Sequence, residues 1–293
     1  MIKLSITESR NLDTVNIDLM DSLQIATLIN QEDKKIAFAI EKVLPQIAQA
    51  IEMAAKSLLN GGRIAYFGAG TSGRLGVLDA SEMPPTFGVS ENMVQGFIAG
   101  GEKALRHAVE NAEDSAEFAI QDLEKFAPTS RDIVIAISAC GNPQYCLTVL
   151  EKAQKLRVKT IAISSNPQAL IAKYADVFIN PVVGPEVIIG SSRMKSGTAQ
   201  KMILNMITTG AMIRIGKTYE NYMIDLQLTN KKLVERGTRF ISEICNISFK
   251  KASEYLKKGK NVKTACVMCL KQCTKEDAEK LLAQHNGILR KVI

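Results

Sequence analysis

Between Gly61 and Gly88 the chain reads GGRIAYFGAGTSGRLGVLDASEMPPTFG, and the residue types there suit anion chemistry. Glycines 68, 70 and 73 allow positive φ and close approach of a ligand to the backbone. Thr71 and Ser72 set hydroxyls beside N–H groups that the first turn of a helix leaves without acceptors. A phosphate fits such a place. The same spacing also serves a dinucleotide, or a turn that is glycine-rich only for packing. The nucleotide readings fit poorly. No Gly-Lys-Ser/Thr follows as in a P-loop. Gly68-Ala-Gly70-Thr-Ser-Gly73 does satisfy G-x-G-x-x-G, but Glu91, near the expected spacing, follows Pro84-Pro85 in a loop rather than ending a second strand.

Other groups with chemical potential are scattered. Glu110, Glu113 and Glu117 recur at intervals of three and four, the pattern of a solvated acidic helix face. His107, isolated in a helical stretch, reads as a packing or hydrogen-bonding residue. Arg193 and Lys195 are cations that either hold an anion or stay solvated. Cys266, Cys269 and Cys273 share one helix face with Leu270, where cysteine behaves as a small hydrophobe. No second ligand cluster completes a metal site, so no metal is expected.

These groups need a frame. Residues 63–67, 94–98, 133–137, 160–164 and 177–179 read as short strands, the third of the fully buried kind. Helical stretches separate them: 104–125 with a break near Asn111, then 144–156 and 168–174. Strands alternating with helices imply βαβ units, a parallel sheet and ligand sites beyond the carboxyl ends of the strands. Loop 68–73, loop 138–143 and the segment 190–198 that precedes an apolar helix over 199–215 all belong there. Upstream lies a helical arm, with 7–11 extended, helices over 17–30 and 33–59, and an interruption at Pro45. Downstream the spacing predicts helices over 219–236, 249–258, 262–270 and 275–284, the last with a Thr274/Asp277 capping box. The expected division is an arm over 1–45, a sheet domain over 46–244 and a small three-helix module over 245–293.

At 293 residues with 46% hydrophobic content, the chain can bury a substantial core. No apolar run approaches 18 residues, so no membrane span is expected, and MIKLSITESR lacks the apolar segment of a leader. Six cysteines without a compact secreted framework fit a reducing cytoplasm. The net charge of +7 is spread along the chain, with no aromatic or arginine-rich motif for nucleic acid.

GGRIAYFGAGTSGRLGVLDASEMPPTFG, IAGGEKALRHAVENAED, GPEVIIGSSRMKSGTAQKMILNMITTGAMI and LLAQHNGILRKVI closely resemble the bacterial N-acetylmuramic acid 6-phosphate etherases, and the likeness covers nearly the whole chain. The resemblance implies a sugar-isomerase (SIS) type α/β fold and a homodimer with sites near the subunit boundary. It also implies a phosphorylated amino sugar as substrate and no metal or organic cofactor. The reaction it implies removes D-lactate to leave N-acetylglucosamine 6-phosphate. Glu82 and Glu113 match the catalytic pair, Glu82 as the acid that protonates departing lactate and Glu113 as the second acid/base group, with C2 proton transfer its share. Gly70, Thr71, Ser72, Ser138, Gly141, Asn142, Ser191, Ser192, Arg193 and Lys195 are the expected substrate-binding set. His285 belongs to the matched Gln-His-Asn-Gly.

One departure stands out. Where the family usually shows Ala-Ser-Gly-Arg-Thr-Pro, this chain has Ala139-Cys140-Gly141-Asn142-Pro143-Gln144, so two hydroxyl donors to the phosphate are missing. A lost hydrogen bond to a charged group costs about 1.5–3 kcal/mol. Ser138 and the N–H groups of Gly141 and Asn142 are the expected substitutes. The altered loop keeps open an alternative, a non-catalytic sugar-phosphate sensor like the related glucokinase regulatory proteins. An aldose–ketose isomerase, which also needs a base at C2, is a third reading.

Overall fold

The computed structural model describes residues 5–293. Five strands, β1 Ile64–Gly68, β2 Val94–Ile98, β3 Ile133–Ile137, β4 Lys159–Ile163 and β5 Val177–Ile179, form one parallel sheet in the order β2-β1-β3-β4-β5. The helices in chain order are α1 Ser22–Glu41, α2 Leu44–Leu59, α3 Gly70–Ser81, α4 Met83–Phe87, α5 Gly101–Arg106, α6 Ala116–Phe126, α7 Gln144–Lys155, α8 Lys195–Arg214, α9 Lys231–Cys245, α10 Phe249–Gly259, α11 Val262–Lys271 and α12 Lys275–Gln284. The expected parallel α/β architecture is present. Among the described residues no helix is long and apolar enough to cross a membrane.

Two compact units divide the chain. The first holds residues up to Ser81 and Asn92–Thr209; the second holds Glu82–Glu91 and Gly210–Ile293. In the first unit β1 and β3 are buried at every position, as strands covered on both faces must be. Phe67 stacks on Phe97 at 4.8 Å, and Phe126 meets both edge-on. Tyr66 on β1 donates to the buried Asp79 of α3 at 2.8 Å, which also accepts from Asn205 and Thr208 of α8. Burial pushes the Asp79 carboxyl up, against these hydrogen bonds. After β1 the chain crosses to β2 and then returns past β1 to β3. The loops following β1 and β3 therefore diverge at the switch point, and a crevice opens between them.

The second unit is helical. Ile241, Cys245, Leu256, Cys266, Cys269 and Leu282 share one core, so α9 joins α10, α11 and α12 in it. Cys266 and Cys269 are core residues as expected, but α11 ends at Lys271 and Gln272 turns left-handed, so Cys273 leaves the helix face it was assigned to. Gly88 fixes the 82–91 segment here: its φ is +63°, and a Cβ would lie 2.2 Å from the carbonyl oxygen of Asp225. Asp225 is held by Lys263 at 2.7 Å and Lys217 at 3.1 Å.

Several expected boundaries moved. The arm breaks at the expected interruption beside Pro45, which begins α2 where its missing N–H costs nothing, but the second break expected near residue 31 is absent, since α1 runs through it. Residues 6–8 turn as a 3-10 helix instead of running extended. Residues 219–230, expected helical, are not; Tyr219 and Tyr222 exchange backbone bonds, and helix resumes only where Asn230 caps α9. The expected helix 104–125 splits into α5, a 3-10 turn at Ala112–Asp114 and α6, with Asn111 left-handed at φ +60°. Glu110, Glu113 and Glu117 are exposed but do not lie on one helix face.

Candidate active site

A cavity of about 260 Å³ opens in the first unit at this switch point. Its floor is Ala69–Ser72, where β1 gives way directly to α3. The first-turn N–H groups of α3 have no helical acceptors and the helix dipole adds partial positive charge, so this end of the helix suits an anion. One wall comes from β3 and its loop: Ile137, Ser138, Ala139, Cys140 and Pro143. Gly190 and Ser192 from the segment before α8, Thr7 and Glu8 from the arm, and Glu113 complete the lining. Among the described residues, two carboxylates and no lysine or arginine line this space, so the groups these residues offer a phosphate are backbone N–H groups and hydroxyls.

Of the expected set, the cavity brings together Gly70, Thr71, Ser72, Ser138, Ser192 and Glu113. Ser72 is partly committed: its hydroxyl lies 2.9 Å from Gln200 Oε1, leaving its backbone N–H to face an anion. Ser138 Oγ accepts from Gly141 N at 3.0 Å, so the Gly141 N–H expected on phosphate is spent inside the loop. Asn142 is exposed, and its Oδ1 accepts from Leu170 N at 3.2 Å; neither Gly141 nor Asn142 lines the cavity. Ser191 and the exposed Arg193 also fall outside the lining. Glu82 is exposed at the N-terminal end of α4 and belongs to the second unit.

Lys195 departs most from expectation. Its side chain is 1% exposed, and Nζ sits 2.5 Å from Oε2 of Glu32, itself 2% exposed. Lys195 therefore neither faces solvent nor lines the cavity. Asn11 and Lys35 also bond to Glu32. Burial alone would raise the Glu32 carboxyl, but the bonds from Lys195 and Lys35 and the Lys195 charge hold it below its ordinary 4.5. Glu186, fully buried, accepts from the N–H groups of Lys195 and Ser196 at 2.9 Å each and so caps the start of α8.

Pattern reading missed Thr7 and Glu8 as cavity walls. Only the polar Thr7-Glu8 run offered a signal, and it had no local link to loops far along the chain. His107 and Glu110 line an adjoining cavity of about 180 Å³ that shares Ala69, Gly70 and Glu113 with the first. Cys146 lies behind the wall, and burial, with Cys140 and Glu113 nearby, pushes its thiol up to about 12, so it stays protonated and unreactive.

The loop after β3 depends on Gly141. Its φ is +74°, and a Cβ would come within 2.2 Å of Ala169 Cβ. Gly141→Ala is expected to cost roughly 2–4 kcal/mol through strain and overlap, seen as a lower melting temperature with weakened phosphosugar binding. Unchanged melting would show that the loop relaxes freely.

The fold and site define an SIS-domain protein. The SIS domain profile matches residues 112–210, that of the glucokinase regulatory protein N-terminal SIS domain matches 46–154, and that of the C-terminal lid domain of glucokinase regulatory protein matches 220–260. A putative phosphosugar isomerase involved in capsule formation from Bacteroides fragilis shares the fold, with a TM-score of 0.54 at 18% identity over 71% of this chain and 98% of that one. N-acetylmuramic acid 6-phosphate etherase of Glaesserella parasuis serovar 5 is 50% identical over 96% of this chain and 93% of its own length. N-acetylmuramic acid 6-phosphate etherase 1 of Enterococcus faecalis is 49% identical over 98% and 96%. The chain belongs to the N-acetylmuramic acid 6-phosphate etherase family.

Proposed function

We propose that this protein is an etherase that cleaves the lactyl ether of N-acetylmuramic acid 6-phosphate, in the catabolism of cell-wall amino sugars. The observation that carries the reading is near-full-length identity of about one half to proteins named for that activity. It is supported by a cavity that sets a helix N-terminus and hydroxyls beside the carboxylate of Glu113. In the ring-opened sugar the C2 hydrogen is α to the C1 aldehyde, and the lactyl ether at C3 is a β leaving group. Glu113 takes the C2 proton, the C3–O bond breaks, and Glu82 gives a proton to the departing lactate oxygen. Water then adds across C2–C3, its oxygen to C3, giving N-acetylglucosamine 6-phosphate. The homodimer and the cytoplasmic location implied by the family belong to the same reading.

The purified protein is expected to release one lactate per N-acetylmuramic acid 6-phosphate consumed, and Glu82→Ala to stop release. No lactate from the wild type would end this reading. Tight phosphosugar binding without turnover would instead favour the sensor, which the etherase relatives do not.

A further inference from the structure

One charged group in the cavity has no part in phosphate capture or in the bond cleavage. Glu8 lines the space together with the start of α3 and Glu113. Its Oε2 lies against Gly190, where a Cβ would be 3.2 Å away. Among the described residues its carboxylate has no hydrogen bond or ion pair.

Nor does Glu8 sit on a loose tail. Glu8 N donates to Ser5 O at 3.0 Å, and Thr7 beside it is buried. Further along, the Asn11 amide bonds to Glu32 Oε2 at 3.0 Å and to Pro185 O at 3.4 Å, and Thr14 Oγ1 donates to Val187 O at 2.8 Å. The strap is thus stitched along the segment 185–192, and it delivers Glu8 to the wall formed by Gly190 and Ser192. A carboxylate there repels a phosphate, which goes to the start of α3. What a carboxylate accepts is hydrogen bonds from neutral donors, and a ring-opened amino sugar offers hydroxyls and an acetamido N–H. We propose that Glu8 is a substrate-contacting, specificity-determining residue that accepts hydrogen bonds from sugar hydroxyl or acetamido N–H groups, and so distinguishes a phosphosugar from a bare phosphate.

This rests on the etherase reading, but its test does not need turnover. Calorimetry on wild type and Glu8→Ala would use two probes, N-acetylglucosamine 6-phosphate and inorganic phosphate. Glu8→Ala is expected to weaken the phosphosugar roughly tenfold or more, the loss of charged hydrogen bonds, while inorganic phosphate binds as well or better. In turnover KM rises and kcat holds. Phosphosugar affinity equal to wild type, or a parallel loss of both probes, would overturn the proposal, the latter showing only a structural strap. If the alanine variant does not fold, the isosteric Glu8→Gln takes the same comparison. Failure of the wild type to release lactate tells against the etherase alone.

Discussion

Glu113→Gln is expected to lower lactate release by roughly a thousandfold, the contribution of a positioned proton-transfer group. The side chain lines the cavity from the short turn at Ala112–Asp114, and the amide keeps its shape and one acceptor while losing the basic oxygen. Phosphosugar affinity should therefore stay within about threefold, so that the loss falls on kcat rather than KM. Exchange of the C2 hydrogen with deuterated solvent separates the two glutamates. With Glu113 as the C2 base, Glu113→Gln stops exchange as well as elimination, whereas Glu82→Ala stops elimination and leaves exchange running. A Glu113→Gln protein that still releases lactate within about tenfold of wild type would remove this residue from the chemistry.

The largest effect on stability is expected at Glu32. Glu32→Ala leaves the Lys195 ammonium buried with no other side-chain acceptor among the described residues, and breaking such a pair costs about 3–5 kcal/mol. Lys195→Met should cost less, since Glu32 keeps Lys35 and Asn11. Replacing both by methionine should recover much of the loss, because two buried apolar chains carry no desolvation cost. The pair also sets a pH response. The Glu32 carboxyl is lowered from 4.5 in the folded protein, so its contribution is fully present above that value and disappears as pH falls through the folded pKa. Urea unfolding of the three variants near neutral pH and at acid pH reads both points. Equal losses in the two single variants would mean that Lys195 has another partner.

The sheet was legible because its signal is local. Five-residue apolar runs such as Ile133–Ile137, closed by glycine or polar turns, mark buried strands without reference to anything distant. Asn111 announced its break by residue type, and Thr274 with Asp277 announced a helix start. Misread positions depended on contacts remote in sequence. Lys195 looked like a ligand because its partner, Glu32, lies 163 positions away. Gly141 is the exception, misread for a local reason: its N–H, expected on phosphate, donates to Ser138 Oγ three residues back. Thr7 and Glu8 reach the cavity on a strap whose Asn11 and Thr14 bond to Glu32, Pro185 and Val187, all distant in sequence.

The strap has a practical corollary for anyone producing the protein. Two of its residues border the candidate cavity, so an affinity tag or reporter fused ahead of Ser5 is tethered within a few residues of that cavity. Such a fusion is expected to disturb the seating of Asn11 and Thr14, read as lower activity than that of a carboxyl-terminally tagged protein. Activity measured on an amino-terminally tagged preparation then reports on the tag as well as on the enzyme, and a carboxyl-terminal or cleavable handle is the sounder choice.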